Sequence, residues 1–181
     1  MRVIAGALRS RPLKSVPGLA VRPTPDRLRE ALFNVLAPQI EGATFIDAYA
    51  GSGAVGIEAV SRGAGRVILI ERNPGALAII RENLRTLAIE SAVTVVRGKA
   101  SLLLADYQVD IVFLDPPYEH VKEYGDSLLA ISRTSCRLAI AQHASRLTLD
   151  PQYGTLGKTR VLRQGDNSLS FYETVSPSTG E

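Results

Sequence analysis

Short apolar runs alternate with helical segments along most of this chain of 181 residues. β-branched and aliphatic residues predict buried strands at residues 44–47, 66–71, 92–96, 109–114 and 137–142. Single helices fill the intervals between them, and strands joined in this way form parallel βαβ units. The chain is therefore predicted to fold as one α/β domain over residues 1–181, with helices on both faces of a mostly parallel sheet.

The two ends of the chain depart from this alternation. Residues 158–163 and 168–175 predict an antiparallel strand pair at one edge of the sheet. Residues 176–181 predict a flexible tail. At the other end, weak alternation over residues 1–16 predicts a short β-hairpin.

The predicted N-terminal hairpin is strongly basic. Residues 1–29 hold seven Arg and Lys side chains against Asp26 alone, a charge of +6, whereas the whole chain carries +3. The remainder therefore sums to −3, and a hairpin that stands off this body could reach nucleic-acid phosphates. A solvated basic tail is the alternative interpretation. The candidate phosphate contacts are Arg2, Arg9, Arg11, Lys14 and Arg22.

Composition argues against several other classes of protein. Cys136 is the only cysteine, so no internal disulfide can form and a reducing, cytoplasmic setting is expected. No apolar run approaches the ~20 residues of a membrane helix, and Arg9 and Arg11 interrupt the start before a signal-peptide core could form. His120 and His143 lack the spacing of metal ligands, so no metal site is expected.

A glycine-rich loop follows the first predicted strand. Gly51, Gly53 and Gly56 fit the pattern G-x-G-x-x-G between a strand and a helix, where the backbone can approach a ligand closely. Glu71 lies 20 residues after Gly51, at the end of the next strand, and this spacing suits an acid that binds ribose hydroxyls. NAD and S-adenosylmethionine both fit these features.

Two acidic residues favour S-adenosylmethionine over NAD. Asp47 ends the first strand, where it would repel a pyrophosphate but tolerate a ligand with an ammonium and a sulfonium. Asp115 opens the sequence Asp-Pro-Pro-Tyr after the fourth strand, which has a role in methylating an amine but no evident role in hydride transfer. Taken singly, Asp47 also suits a turn cap, and residues 115–118 suit a proline-rich turn.

A helix is predicted from Thr24 to about residue 37. Thr24 suits the N-cap, Pro25 the first helical position and Asp26 the first turn. One side of this helix is polar and is typical of a solvated ion-pair face: Arg27, Glu30 and Asn34.

These motifs, in this order, resemble class I adenosylmethionine-dependent methyltransferases that act on amino groups of bases. Residues 22–34, RPTPDRLREALFN, are similar to the segment before the cofactor loop in bacterial guanine-N2 methyltransferases of small-subunit (16S) ribosomal RNA. The glycine loop that runs on through residues 58–64 is similar as well. The resemblance covers about residues 1–145 and weakens after them. The assignment to guanine-N2 methyltransferases, rather than to the wider superfamily, depends on residues 22–34 and on the small size of the chain.

The resemblance implies a seven-stranded Rossmann-like sheet, S-adenosylmethionine bound across the first two strands, and a target base that enters at the fourth. It also places Thr24 and Arg27 near the cofactor or the base, which reverses the solvated-face interpretation. The implied cofactor-binding residues are Asp47, Ala50, Gly51, Ser52, Gly53, Glu71, Arg72, Lys99, Ala100, Thr24 and Arg27. The implied catalytic residues are Asp115, Pro116, Pro117 and Tyr118.

Lys99 departs from the family pattern. The family usually has an acidic residue after the third strand, where it meets the adenine amino group, and an ammonium cannot accept that hydrogen bond. The backbone at Lys99 and Ala100 remains available to hold the adenine.

The Asp-Pro-Pro-Tyr sequence suits transfer of a methyl group to an exocyclic amine. Such an amine is a poor nucleophile, and hydrogen bonds from it to the Asp115 carboxylate and the Pro116 carbonyl would localise its lone pair and strengthen as positive charge develops. Tyr118 would stack on the base, which must lie outside a helical stack. The short chain leaves no room for the target-recognition region that sequence-specific DNA enzymes usually carry, and this favours RNA.

Three functions stay open. The leading one is methylation of guanine N2 in ribosomal RNA, free or within a 30S particle, by a monomeric enzyme. The second is methylation of adenine N6 in DNA or RNA, since the chemistry of residues 115–118 does not separate the two bases. The third is a protein that binds RNA and the cofactor without turnover, which the lysine at position 99 makes plausible.

Overall fold

A computed structural model describes residues 1–17 and 24–175 of the chain, so Arg22 and the predicted tail at 176–181 lie outside the described residues. The chain divides into two compact units, Met1–Ala100 and the residues from Ser101 onward. One domain over the whole chain stays a prediction. None of the helices in the described ranges has the length and apolarity that crossing a membrane needs.

The first unit contains three parallel strands in the order β3-β2-β1, with β2 in the middle. Its strands and helices are, in chain order, α1 Asp26–Leu36, β1 Thr44–Asp47, α2 Ala54–Ser61, β2 Arg66–Glu71, α3 Pro74–Leu87 and β3 Val93–Arg97. The central strand is buried from Val67 to Ile70, and parallel strands covered on both faces have such continuous apolar runs. Asp47 pairs in register with Leu69, so Asp47 and Glu71 both lie where parallel strands end.

Helix α2 packs closely on strand β2 because Gly56 faces it. A Cβ atom at Gly56 would lie 2.2 Å from Leu69 Cδ2, far inside van der Waals contact. The third glycine of the G-x-G-x-x-G pattern therefore serves helix–sheet packing, whereas Gly51 and Gly53 have positive φ angles of 55° and 82° in the loop before the helix.

The second unit contains five strands. The short helix α4 Ala100–Leu103 stands at the boundary, and then follow β4 Ile111–Leu114, α5 Lys122–Ile131, β5 Leu138–Ala144, β6 Gln152–Tyr153, β7 Leu156–Gln164 and β8 Asn167–Thr174. Strands β4 and β5 are parallel, and β5-β8-β7-β6 continue as antiparallel neighbours. This confirms the predicted strand pair, now β7 and β8, as an antiparallel edge.

The fold class agrees with the prediction, and the strand count differs from it. The described ranges contain eight strands rather than seven, because β6 is an additional strand of two residues. A run of two residues carries no period-2 alternation that could have announced it.

The predicted N-terminal hairpin is present as a shorter antiparallel pairing: the Val3 amide donates to the Arg11 carbonyl and the Leu13 amide to the Met1 carbonyl, both at 3.0 Å. Residues 1–17 contain one isolated antiparallel bridge, between Arg2 and Pro12, and no strand. The segment packs against α2 instead of standing off the body: the amides of Ile4 and Ala5 donate to the buried carboxylate of Glu58 at 2.8 and 3.0 Å. A buried carboxylate needs such donors, and Glu58 takes them from the two residues that follow the paired Val3.

The start of α1 is also corrected. The predicted N-cap Thr24 lies one residue too early, because Pro25 has extended φ and ψ angles of −54° and 141° and is itself the N-cap. Its carbonyl accepts the amides of Leu28 and Arg29, both at 2.9 Å, and the helix begins at Asp26.

Candidate active site

The glycine loop after β1 is a tight turn stabilised by its own backbone. The Gly53 amide donates to the Ala50 carbonyl at 2.7 Å, and the Ala50 amide donates to Ile70 on β2 at 3.0 Å. Gly53 is left-handed at the N-cap of α2, so the first amides of the following helix point towards the loop. A Cβ atom on Gly51 would meet nothing within 4 Å, so open space lies beside this part of the loop.

Glu71 fixes the loop from the neighbouring strand. One carboxylate oxygen accepts the Gly51 amide at 2.8 Å, and the other accepts the amides of Arg72 and Asn73, each also at 2.8 Å. A carboxylate has about four acceptor sites, so Glu71 can still accept a hydroxyl of a bound ribose. The structure thus brings together Gly51, Glu71 and the Arg72 backbone, three of the cofactor-binding positions that the sequence analysis listed.

Asp47 is buried at the end of β1, with 1% of its surface exposed. Its Oδ2 atom accepts the Gly56 amide at 3.2 Å, and its Oδ1 atom has no hydrogen-bond partner among the described residues. Burial raises the pKa of Asp47 to about 7, the nearby Glu71 carboxylate adds to this shift, and the Gly56 amide opposes it. A cation bound beside Asp47 would restore its ionised form.

These features fit the group that the sequence predicted. S-adenosylmethionine has an ammonium, a sulfonium and a ribose diol, and the loop offers Asp47 Oδ1, the Glu71 carboxylate and glycine backbone beside open space. NAD would bring a pyrophosphate to an edge that holds two carboxylates. The donor set therefore favours a cationic cofactor over a dinucleotide.

The remaining predicted cofactor residues lie around the first unit's loops. Lys99 is exposed between β3 and α4, and Ala100 is buried at the start of α4. Thr24 is half-buried just before α1, and the side chains of Arg27 and Arg72 are exposed. That these five contact the cofactor stays a prediction.

The Asp-Pro-Pro-Tyr sequence forms the loop after β4, hereafter the acceptor loop, residues 115–118. The four residues of β4 are all buried, whereas Asp115 is half-buried, Pro116 buried and Pro117 half-buried. The Pro117 carbonyl accepts the His120 amide at 2.8 Å, which closes the turn. This arrangement directs the loop away from the sheet core with its carboxylate at the strand's end.

Tyr118 is exposed by 47% yet is fixed in position. Its hydroxyl donates to Oδ1 of Asn167 at 2.9 Å, and Asn167 is buried at the start of β8. The aromatic ring can therefore offer a face to a ligand without rotating freely. No local pattern points to Asn167, because it lies 49 residues from Tyr118 and its position depends on the pairing of the sheet.

The predicted RNA-binding side chains of the described segment are exposed. Arg2 and Arg9 project from it, Arg11 donates to the Thr86 carbonyl at 3.3 Å, and Lys14 forms an ion pair with Glu82. Surface ion pairs are worth little and exchange readily, so Lys14 remains available to a phosphate.

Arg29 is a buried charge that the sequence-based prediction missed although its signal was present. It is fully buried and lies on the apolar side of α1 with Leu28, Leu32 and Leu36. A charge at such a position indicates a buried partner, here Glu58, whose carboxylate lies 3.9 Å from the Arg29 guanidinium. Burial lowers the pKa of Arg29, and Glu58 opposes that shift.

His143 and Cys136 have local roles. His143 is buried, and burial lowers its pKa. Its Nδ1–H donates to the Ala144 carbonyl at 2.9 Å, so in the neutral ring Nε2 accepts the Ser170 hydroxyl at 2.8 Å. Cys136 is buried, and burial raises the pKa of its thiol to about 11, so the thiol is inert at neutral pH. The described residues include no cluster of three or more His, Cys, Asp or Glu side chains that could hold a metal.

Comparison with known proteins relates the whole chain to one family. A family model described as "Conserved hypothetical protein 95" matches residues 1–173. A Bacillus subtilis (strain 168) protein named "Putative rRNA methyltransferase YlbH" is 34% identical over 183 aligned positions, covering 96% of this chain and 98% of that protein. The Escherichia coli (strain K12) "Ribosomal RNA small subunit methyltransferase D" is 45% identical over 122 positions, 65% of this chain and 60% of that protein.

Solved structures give the same result for the fold. A hypothetical protein from Thermus thermphillus superposes with a TM-score of 0.81 at 30% identity, covering 96% of this chain and 99% of that one. Overlap over nearly the full length of both chains confirms the α/β fold class.

We expect the stability of the protein to depend on pH through Asp47. Its folded-state pKa of about 7 lies above the ordinary value of 3.8, so the folded protein holds this proton more tightly than the unfolded chain. The resulting stabilisation is complete below pH 3.8 and is lost as the pH rises through about 7. Each pKa unit is worth about 1.4 kcal/mol, so the effect is measurable.

The measurement is urea unfolding of the wild type and Asp47→Asn between about pH 5 and pH 8, a window that brackets the raised pKa. The neutral amide should remove much of the decline in unfolding free energy across this range. Asp166→Asn, at an exposed carboxyl, serves as the control and should follow the wild type. Parallel curves for wild type and Asp47→Asn would contradict the raised pKa.

Proposed function

We propose that this chain, which belongs to the family described as conserved hypothetical protein 95, is an S-adenosylmethionine-dependent methyltransferase. Its proposed substrate is the exocyclic N2 amine of a guanine in small-subunit ribosomal RNA. The observation that carries the proposal is full-length similarity to a relative named as an rRNA methyltransferase, in a chain that keeps both the glycine loop and the acceptor loop.

The residues proposed to hold the cofactor are those of the glycine loop and the two strand ends beside it. When bound, S-adenosylmethionine supplies a methyl group on a sulfonium. Glu71 accepts the ribose hydroxyls, and Asp47 balances the positive charge through the Oδ1 atom that the described residues leave unpaired. The backbone at Lys99 and Ala100 contacts the adenine, because the Lys99 ammonium cannot accept a hydrogen bond from the adenine amino group. Thr24, Arg27, Ala50, Ser52, Gly53 and Arg72 complete this proposed site.

The acceptor loop is proposed to hold the target base. The Asp115 carboxylate and the Pro116 carbonyl accept the two N–H groups of the amine, so the nitrogen lone pair is localised for attack. These acceptors gain strength as positive charge develops on nitrogen. Pro117 stiffens the loop through its fixed φ angle, and Tyr118 stacks on the base, its hydroxyl bound to Asn167.

Guanine is preferred over adenine on similarity, not on the chemistry of the loop. The segment of residues 22–34 resembles that of guanine-N2 methyltransferases, and the Escherichia coli relative is named for the small ribosomal subunit. The second candidate, methylation of adenine N6, is supported by the acceptor loop alone, which suits either amine.

Ribosomal RNA is proposed to contact the basic N-terminal segment, through Arg2, Arg9, Arg11, Lys14 and Arg22. Phosphate contacts of this kind position a nucleic acid without reading its sequence. The substrate is therefore recognised by shape, as free RNA or within a 30S particle, and the enzyme works as a monomer.

The decisive experiment identifies the methylated nucleoside. Unmodified 16S rRNA transcript and assembled 30S particles are incubated with S-adenosylmethionine, digested to nucleosides and analysed by mass spectrometry. N2-methylguanosine is the expected product, N6-methyladenosine would favour the second candidate, and no product with either substrate would contradict the proposal.

We expect Asp115→Asn to lower the rate of methyl transfer about a hundredfold or more without weakening RNA binding, because the lost charge acts only as the amine becomes positive. Asp110→Asn is the matched control: the same change is made to a partly exposed carboxylate just before β4, which pairs with Arg137 at 3.2 Å. A variant Asp115→Asn with wild-type turnover would refute the assigned role.

The Tyr118–Asn167 hydrogen bond is tested by a double-mutant cycle. Tyr118→Phe and Asn167→Ala should each lower kcat/KM several-fold, because a hydrogen bond of this kind is worth about 0.5–1.5 kcal/mol and each variant removes it. The double variant should lose no more than either single one. Additive losses would show that the two side chains act separately.

The role of the basic segment is tested by the salt dependence of RNA affinity. Arg9→Gln with Arg11→Gln should weaken binding and lower the slope of log affinity against log salt by about one to two. The control is the pair Arg66→Gln and Arg133→Gln, since both side chains are exposed. Arg66 begins β2 and Arg133 precedes β5, so each lies by the start of a parallel strand, whereas the glycine and acceptor loops follow strand ends. Equal slopes for the two pairs would remove the segment from the interface.

A further inference from the structure

Asn83 connects two parts of the first unit that the proposed function treats separately. It lies on α3 with 3% of its surface exposed. Its Oδ1 atom accepts the Lys14 amide at 2.8 Å, and its Nδ2 group donates to the Lys14 carbonyl at 3.1 Å and to the Ser52 carbonyl at 3.0 Å. One buried amide thus binds both the basic N-terminal segment and the glycine loop.

The orientation of this amide is determined by its neighbours. The reversed orientation would place Oδ1 against two carbonyl oxygens and Nδ2 against an N–H group, losing all of these hydrogen bonds. A side chain with one acceptor and two donor hydrogens is needed here, and of the residues of this size only asparagine provides both.

The N-terminal segment is held firmly enough to transmit a displacement. In addition to Asn83, the Leu8 amide donates to Ser61 Oγ at 2.9 Å, and the Ala7 amide donates to the Ser61 carbonyl at 2.8 Å. Gly6, with φ of +81°, lies so close to α2 that a Cβ atom there would be 1.9 Å from the Ser61 carbonyl oxygen. The segment therefore packs as a layer against α2, and Lys14 lies at its far end.

The other end of the connection is the loop that the cofactor must meet. Ser52 stands between Gly51, whose amide is bound by Glu71, and Gly53, which begins the turn into α2. Because glycine backbone is conformationally permissive, the loop depends on such external hydrogen bonds to keep one shape. Asn83 supplies one of them from α3, and its other partner is the basic segment.

We propose that Asn83 is a positioning residue that couples the glycine loop to the basic N-terminal segment, so that cofactor and RNA bind cooperatively. This inference rests on the proposed function for the identity of both ligands. Each ligand orders its own side of the Asn83 hydrogen bonds, and the second ligand then meets a partner that is already ordered. The coupling is reciprocal, so cofactor raises RNA affinity by the same factor by which RNA raises cofactor affinity.

The first test follows backbone hydrogen exchange, with S-adenosylhomocysteine as the probe and no RNA present. In the wild type, the probe should slow exchange in residues 48–56 and also in residues 8–14. In Asn83→Asp the probe should still protect residues 48–56 but no longer residues 8–14. A carboxylate keeps the acceptor for the Lys14 amide but has no hydrogen to donate to Lys14 or Ser52.

The matched control is Asn34→Asp, the same change at an exposed position on α1, which should behave as the wild type. If Asn83→Asp does not fold, Lys14→Pro removes the segment's N–H donor to Asn83, together with the exposed Lys14 side chain, and should break the same transfer of protection. Protection confined to residues 48–56 in the wild type would overturn the coupling while leaving the cofactor site intact. No probe binding to the wild type would overturn the proposed function, and the coupling with it.

The second test measures the coupling itself by calorimetry. The dissociation constant of S-adenosylhomocysteine should fall by about fivefold or more in the wild type when saturating 16S rRNA transcript is present. This factor should approach one in Asn83→Asp and stay unchanged in Asn34→Asp. Binding of both ligands with no mutual effect in the wild type would overturn the inference. Failure of both the transcript and assembled 30S particles to bind would overturn the RNA assignment and its coupling.

Discussion

The first unit depends on the hydrogen bonds and ion pairs made by the buried carboxylate of Glu58. It accepts the amides of Ile4 and Ala5 and the Nε group of Arg62, the last at 2.9 Å, while the Arg29 guanidinium lies 3.9 Å away. Burying a charge is costly unless it is paired and hydrogen-bonded, so these partners must be held in position together. A single side chain of α2 thereby joins the N-terminal segment and α1 to that helix.

The same rule governs the proposed cofactor site. The Glu71 carboxylate accepts three backbone amides, and one oxygen of the Asp47 carboxyl accepts the Gly56 amide at the start of α2. The loop thus takes its shape from carboxylates that a cationic ligand would also use. These hydrogen bonds restrict the loop during folding, so less conformational freedom remains to be lost when a ligand binds.

What could be predicted from the sequence followed from periodicity and local chemistry. The apolar runs that became β1, β2 and β4 were found because a buried parallel strand needs continuous apolar residues, and the glycine loop because its positive φ angles favour glycine. One error arose from local backbone geometry at a proline, and another where a tertiary partner bound backbone groups of the N-terminal segment. Thr24 was expected to cap α1, yet the extended Pro25 is the N-cap. Residues 1–16 pair with themselves over a shorter stretch than expected, and Glu58 binds the amides of Ile4 and Ala5.

The sequence alone determined the order of strands and helices, the place of the glycine and acceptor loops at strand ends, and the acidic residues beside them, because each depends on neighbours along the chain. Only the tertiary structure decided that Arg29 lies buried beside Glu58, that Asn83 joins Lys14 to Ser52, and that Asn167 binds Tyr118. A buried polar group must find its hydrogen-bond partners wherever the packed chain brings them. The partners of Asn83 and Asn167 lie 31 to 69 residues away along the chain, too far to leave a trace in any local pattern.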